Sequence, residues 1–285
     1  MRIVSYETAE GASFGLVSGK GIIDVRRRLG LRYMDVRTVL EVGALELLAA
    51  QAGAEPDVAL SDVAFLPAVP GERKVLCVGL NYRAHVAESA GREVPEKPRI
   101  FSRLADTVIG HGAPMWRPRN SEQFDYEGEL AVVIGRAGRH IPAARALEHV
   151  AGYTCFNDGS VRDFQKHSVT AGKNFPRTGP LGPWLVTADE IPDPAALTLT
   201  TRVNGQTMQS AGTEDMILTV QELIAYVSAF TPLAPGDVIA TGTPEGVAHA
   251  RRPPPWLKPG DVVEVEIGGI GTLRNPVVAE EEAEP

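Results

Sequence analysis

The chain has 285 residues, 44% of them hydrophobic, and a formal net charge of −8. That supplies a sizeable core for one large domain or two modest ones, and the acidic balance without a basic stripe excludes a non-specific nucleic-acid binder. No apolar run approaches the roughly 18 residues that a membrane-spanning helix needs, so no membrane partner is expected.

Residues 1–70 read as a small module. Met1–Tyr6 is a first strand, not a signal peptide. Ile3–Tyr6, Ser13–Val17 and Gly21–Asp24 suggest short antiparallel strands, and Thr38–Ala50 reads as a helix with Leu40, Leu45, Leu47 and Leu48 on its apolar side. Pro67–Glu72 is the expected boundary, rich in Pro and Gly. The remainder, 71–285, is strand-rich. Lys74–Val78, Leu130–Gly135, Trp184–Thr187 and Leu197–Val203 read as strands; the last turns at Asn204-Gly205 and resumes at Thr207–Gln209. Thr213–Phe230 has helical periodicity in Met216, Val220, Leu223, Ile224 and Val227. Val238–Thr241 and Val262–Ile267 are strands, each preceded by a Pro-Gly-Asp turn signature. The acidic tail from about 278 is expected to fray. The pattern as a whole is a mixed β-rich, α+β fold. Cys77 and Cys155 sit in apolar surroundings and read as buried free thiols, which suit a reducing cytoplasm.

Four groups can carry chemistry. Glu127 and Glu129 lie in an apolar strand-like run and point the same way, since strand side chains alternate. Burying two like charges is costly, and a hard divalent cation removes the cost. With Asp158 as a third carboxylate the donor set is all oxygen, which favours Mg2+ or Mn2+ over Zn2+; the competing reading is a solvated edge strand. The second group is Gly79–Glu88, where Asn81 stands near a helix cap. His85 and Glu88 share one helical face, either as a water-activating pair or as a surface polar pair. His111, His140, His149, His167 and His249 are weaker, exposed or structural candidates. The third group joins Gln165, able to donate to a substrate oxygen, to Lys173, which can meet a carboxylate or a developing enolate charge. The fourth, Ala240–Val247, is a Gly- and Thr-rich loop whose amides and Thr243 can hold a substrate carboxylate. No GxGxxG or Walker sequence supports a nucleotide cofactor.

Taken together, the segments 79–85, 125–131, 157–165, 172–175, 179–184 and 241–247 resemble the fumarylacetoacetate hydrolase family in its own order, over residues 72–275. The resemblance implies a mixed β-roll catalytic domain, usually in a homodimer, behind a small, variable N-terminal α/β domain. It implies that Glu127, Glu129 and Asp158 bind Mg2+ or Mn2+, that His85 and Glu88 form a water-activating dyad, and that Lys173 meets the bound substrate oxygen. Tyr82, Arg83, Arg162, Gln165, Gly242 and Thr243 then contact the substrate. Arg177 either reads a distal substrate carboxylate or faces solvent. The His85-to-Glu88 spacing is similar to the smaller bacterial and mitochondrial members. The implied partner is a small 2-oxo acid, and the implied reaction is hydrolysis of a C–C bond in an acylpyruvate such as fumarylpyruvate, in aromatic-compound catabolism. Decarboxylation of oxaloacetate-like acids and isomerisation of 2-hydroxyhepta-2,4-diene-1,7-dioate are the alternatives, and a non-catalytic binding protein that retains the fold is the alternative of another class.

Overall fold

A computed structural model describes residues 1–30, 32–71, 74–88 and 93–280. Its centre follows from side-chain alternation. Every residue of the strand Gly128–Ile134 is buried because both faces are covered. Ala131 and Val133 join one apolar cluster with Ile3, Phe156 and Leu185, whereas Leu130, Val132 and Ile134 join another with Leu223, Val227 and Val265. This strand pairs antiparallel with Val150–Asn157 on one side and Val238–Ala240 on the other. Beyond Val150–Asn157, the strand Gly179–Thr187 leads to the N-terminal strands, Arg2 facing Val186 and Ile3 facing Leu185. In the other direction Val75–Gly79 runs parallel to Val238–Ala240 and antiparallel to Arg99–Arg103. The result is an open, mostly antiparallel sheet of twelve strands among the described residues, beside a second sheet of five. The smaller sheet gives Leu199, Val265, Ile267 and Leu273 to the second cluster.

The architecture is the expected mixed β-rich one of sheets with helices, and Cys77 and Cys155 are the expected buried free thiols. Asn204 and Gly205, with φ of 52° and 79°, make the expected hairpin turn. Several local expectations are corrected. The helix expected at Thr38–Ala50 is two, Val36–Glu41 and Leu45–Ala49. Gly43, at φ 64°, separates them, and Leu47 is 43% exposed. The helix expected from Thr213 begins at Val220, where Thr219 and Glu222 form a reciprocal capping box. The residues before it are drawn into the fold instead: Ile217 N–H donates to the Asn81 carbonyl. Asn81 stands two residues before the helix Arg83–Glu88, near its start as expected. Its amide donates to the carbonyls of Leu218 and Thr241 and its oxygen accepts from Leu218 N–H. At the C-terminus Val278 and Ala279 pair with Trp116 and Arg117, so the chain is ordered past the point expected to fray. Residues 281–285, like Glu72 at the expected boundary, lie outside the described residues.

Strand direction positions the site. Gly128–Ile134 begins where its antiparallel neighbours Val150–Asn157 and Val238–Ala240 end, and Val75–Gly79, parallel to the latter, ends there too. Four chain segments therefore leave one end of the sheet together: Asp125–Glu127, Asp158–Ser160, Thr241–Val247 and Leu80–Glu88. Arg99 joins them because it pairs with Gly79.

Candidate active site

Gly128 pairs with Asn157 and Glu129 with Phe156, which leaves Asp158 beside Glu127; Asp158 N–H donates to the Glu127 carbonyl at 2.8 Å. One carboxylate oxygen from each of Glu127, Glu129 and Asp158 lies within 4.8 Å of the others, and the three residues are 5%, 1% and 0% exposed. They are not on a solvated edge. Gly128 between them faces Thr201, whose Oγ1 would stand 2.1 Å from an added Cβ.

Cations hold most of this charge. Lys173 Nζ donates to Glu127 Oε2 at 2.6 Å and to Asp158 Oδ2 at 2.5 Å. Arg103 Nη1 donates to Asp158 Oδ1 at 2.6 Å. Arg162 donates to Glu127 Oε1 at 2.5 Å and to Asp125 Oδ2 at 2.8 Å. Burial disfavours the charged form of Glu127, but Lys173 and Arg162 outweigh it and hold its carboxyl at about 2. Among the described residues Glu129 has no such partner: its hydrogen bond comes from Gly242 N–H at 2.9 Å. Burial, then the charges of Asp158 and Glu127, push its carboxyl well above the usual range. Four buried carboxyl groups thus meet three buried cations, and Glu129 is the one left without a cation partner among the described residues. That unpaired oxygen ligand, in an all-oxygen donor set, fits a hard divalent cation such as Mg2+ or Mn2+, which would take the place of its proton.

The remaining residues line the same cavity of about 440 Å³. His85 and Glu88, on the helix Arg83–Glu88, meet at 2.7 Å between Nδ1 and Oε1, and Glu88 Oε2 accepts from Gly246 N–H at 2.9 Å. His85 is only 7% exposed, so the pair belongs to the cavity and not to the outer surface. Gln165 reaches the cavity with its oxygen held by Arg162 Nη1. Thr243 also lines it, although its hydroxyl donates to the Gly128 carbonyl and accepts from Gln209.

The fold therefore brings together His85, Glu88, Glu127, Glu129, Asp158, Arg162, Gln165, Lys173 and Thr243. Four other expected residues do not line the cavity. Tyr82 is buried, with no hydrogen-bond partner for its hydroxyl among the described residues. Arg83 is exposed. Arg177 lies over the Trp116 ring and donates to the Pro114 carbonyl. Gly242 gives its amide to Glu129, not to a ligand. Sequence patterning passed over Arg103, which no local motif marks. It also passed over Asp125, which stands in the same acidic run as Glu127 and accepts from the amides of Ala248 and His249. His249, set aside as exposed or structural, lines the cavity.

A sequence model of the family described as fumarylacetoacetate (FAA) hydrolase, C-terminal, matches residues 74–278. The chain belongs to the fumarylacetoacetate hydrolase family. The oxaloacetate tautomerase FAHD2A, mitochondrial, of Bos taurus is 41% identical over 289 residues, covering 98% of this chain and 92% of that protein. The fumarylacetoacetate hydrolase structure from Exiguobacterium antarcticum superposes with a TM-score of 0.83 at 36% identity, over 98% of this chain and all of that one. The maleylpyruvate hydrolase of Sphingobium sp. SYK-6, solved with manganese(II) and pyruvate, does so with a TM-score of 0.82 at 28% identity, over 98% and 99%. The expectation of a cytoplasmic family member is overturned, because relatives matched over nearly the whole chain are mitochondrial by name. No helix among the described residues is long and apolar enough to cross a membrane.

Proposed function

We propose that this chain is a divalent-metal-dependent enzyme that interconverts the enol and keto forms of an oxaloacetate-type 2-oxo diacid. The observation that carries this reading is one cavity with a buried triple-carboxylate floor and the His85–Glu88 pair on its wall. The likeness to oxaloacetate tautomerases over 98% of the chain supports it. Glu127, Glu129 and Asp158 would hold the metal, and Arg103 and Lys173 would fix the Asp158 side chain for that purpose. When bound, Mg2+ or Mn2+ supplies Lewis acidity that lowers the cost of enolate charge.

Glu88 accepts a hydrogen bond from His85 Nδ1–H, which leaves the lone pair on Nε2 as the proton acceptor. Tautomerisation needs only that one group remove a proton from the carbon between two carbonyl groups while another returns one at oxygen. Burial opposes the charge of Lys173, but Asp158 and Glu127 outweigh it and raise its pKa, so its ammonium stays charged beside the developing negative oxygen. No water has to enter the reaction.

A second reading, hydrolysis of an acylpyruvate-type 2,4-dioxo acid, is supported by the same dyad, since His85 can equally draw a proton from water, and by the likeness to maleylpyruvate hydrolase. We also propose a homodimer, and a small N-terminal domain at 1–70 ahead of the matched stretch 74–278. The deciding experiment strips the metal, restores Mg2+ or Mn2+, and follows loss of enol-oxaloacetate absorbance beside pyruvate release from 2,4-dioxo acids. Faster metal-dependent enol loss is expected. Pyruvate release alone would give the function to the hydrolase reading, and no response from either substrate would remove both.

A further inference from the structure

The cavity floor is matched in charge to within one unit, but its wall is not. Arg99, Lys166 and Arg252 line the same cavity, are exposed, and have no carboxylate partner among the described residues. Each is placed by the fold. Arg99 pairs with Gly79 at the end of the sheet where the site forms. Lys166 directly follows the helix Arg162–Gln165, which supplies two cavity residues. The Arg252 guanidinium donates to the carbonyls of His249 and Arg251 at 3.0 and 2.8 Å, which steadies it at the rim. The cavity's acidic side chains are already engaged: Glu127 and Asp158 by cations, Glu129 by an amide, Glu88 by His85 and Gly246. The cavity holds about 440 Å³, the liquid share of roughly fifteen waters. A 2-oxo acid head on the floor leaves space for a second charged group.

We propose that Arg252, with Arg99 and Lys166, selects substrates that carry a second carboxylate. This rests on the reading of the floor as a 2-oxo acid site. Arg177, the sequence's candidate for such recognition, stands outside the cavity. The chain's net charge of −8 repels a dianion at long range, and three cations around a concave opening reverse that field locally.

The test compares 2-oxoglutarate with 2-oxopentanoate, a pair that differs at the distal carboxylate, by calorimetry on the Mn2+-loaded full chain. The diacid is expected to bind about tenfold more tightly at low salt, with the margin shrinking as salt rises. In the R99Q/K166Q/R252Q triple variant the ratio falls to about one, whereas R252K alone keeps most of it. These side chains are exposed, so an unchanged melting temperature is the control for folding. Equal binding of the two acids by the wild type, a ratio that survives the triple variant, or binding of neither acid overturns the proposal. A ratio that behaves as expected in an enzyme that turns over no 2-oxo diacid overturns the reaction assigned above and leaves the rim standing.

Discussion

At the scale of single residues, the site is built from charges that exist only as partners. Arg103 and Asp158 are both almost fully buried and meet at 2.6 Å. Removing Arg103 leaves Asp158 Oδ1 buried without its cation while Lys173 still holds Oδ2, so Arg103→Met is expected to destabilise the fold by about 3 kcal/mol in urea unfolding. A loss under 1 kcal/mol would show that water reaches Asp158. His85 makes the opposite prediction. Its ring touches Glu88 but holds none of the floor carboxylates, so His85→Ala is expected to lower kcat by about a hundredfold or more while Mn2+ affinity stays within a few-fold. Loss of metal binding in that variant would place His85 among the ligands instead. The floor carboxylates themselves were legible from the sequence, because alternation aligns Glu127 with Glu129. Their cationic partners were not, since Arg103 and Asp158 are 55 residues apart and no periodicity links them.

At the scale of elements, the strand Gly128–Ile134 supports both core and chemistry. Its apolar residues anchor two clusters, and its first residue permits the second sheet to approach. Gly128→Ala places a methyl group against Thr201 Oγ1 and is expected to cost about 1–3 kcal/mol by overpacking. Thr201→Ala removes the obstructing atom, so the double variant should recover most of that loss in a double-mutant cycle. Strictly additive losses would mean that backbone strain, not this contact, is the cause. Boundaries were the weakest part of the sequence reading at this scale. Apolar spacing continues through Met216 and through Val42, but the capping pair Thr219–Glu222 and the left-handed Gly43 decide where helix exists.

At the scale of the whole molecule, the site is where four strand ends meet, and Glu129 is the floor carboxyl with no cation partner among the described residues. A ligand that binds only the folded state stabilises it by mass action, about 2.7 kcal/mol at a hundredfold excess over Kd. Mn2+ is therefore expected to raise the melting temperature of the metal-stripped protein by several degrees. Glu129→Gln should behave in two opposed ways. Without metal it replaces a carboxyl that burial, Asp158 and Glu127 already favour in its neutral form, and so leaves the protein about as stable as wild type, yet the Mn2+-dependent rise is reduced or lost. A full rise in that variant would exclude Glu129 from the metal site.

The amino-acid sequence by itself determined the β-rich class, the acidic run at 127–129, the His85–Glu88 pair and the family, because each is written in neighbouring residues or short spacings. Only the tertiary structure decided which charges face one another. It brought Arg103, Asp125 and His249 to the site, left Arg177 and Tyr82 outside the cavity, and gathered Arg99, Lys166 and Arg252 at its rim. The physical reason is that strand order and direction, which no local pattern specifies, choose the chain ends that share one cavity. Electrostatic partnership falls off over a few ångströms of space, whatever the distance along the chain.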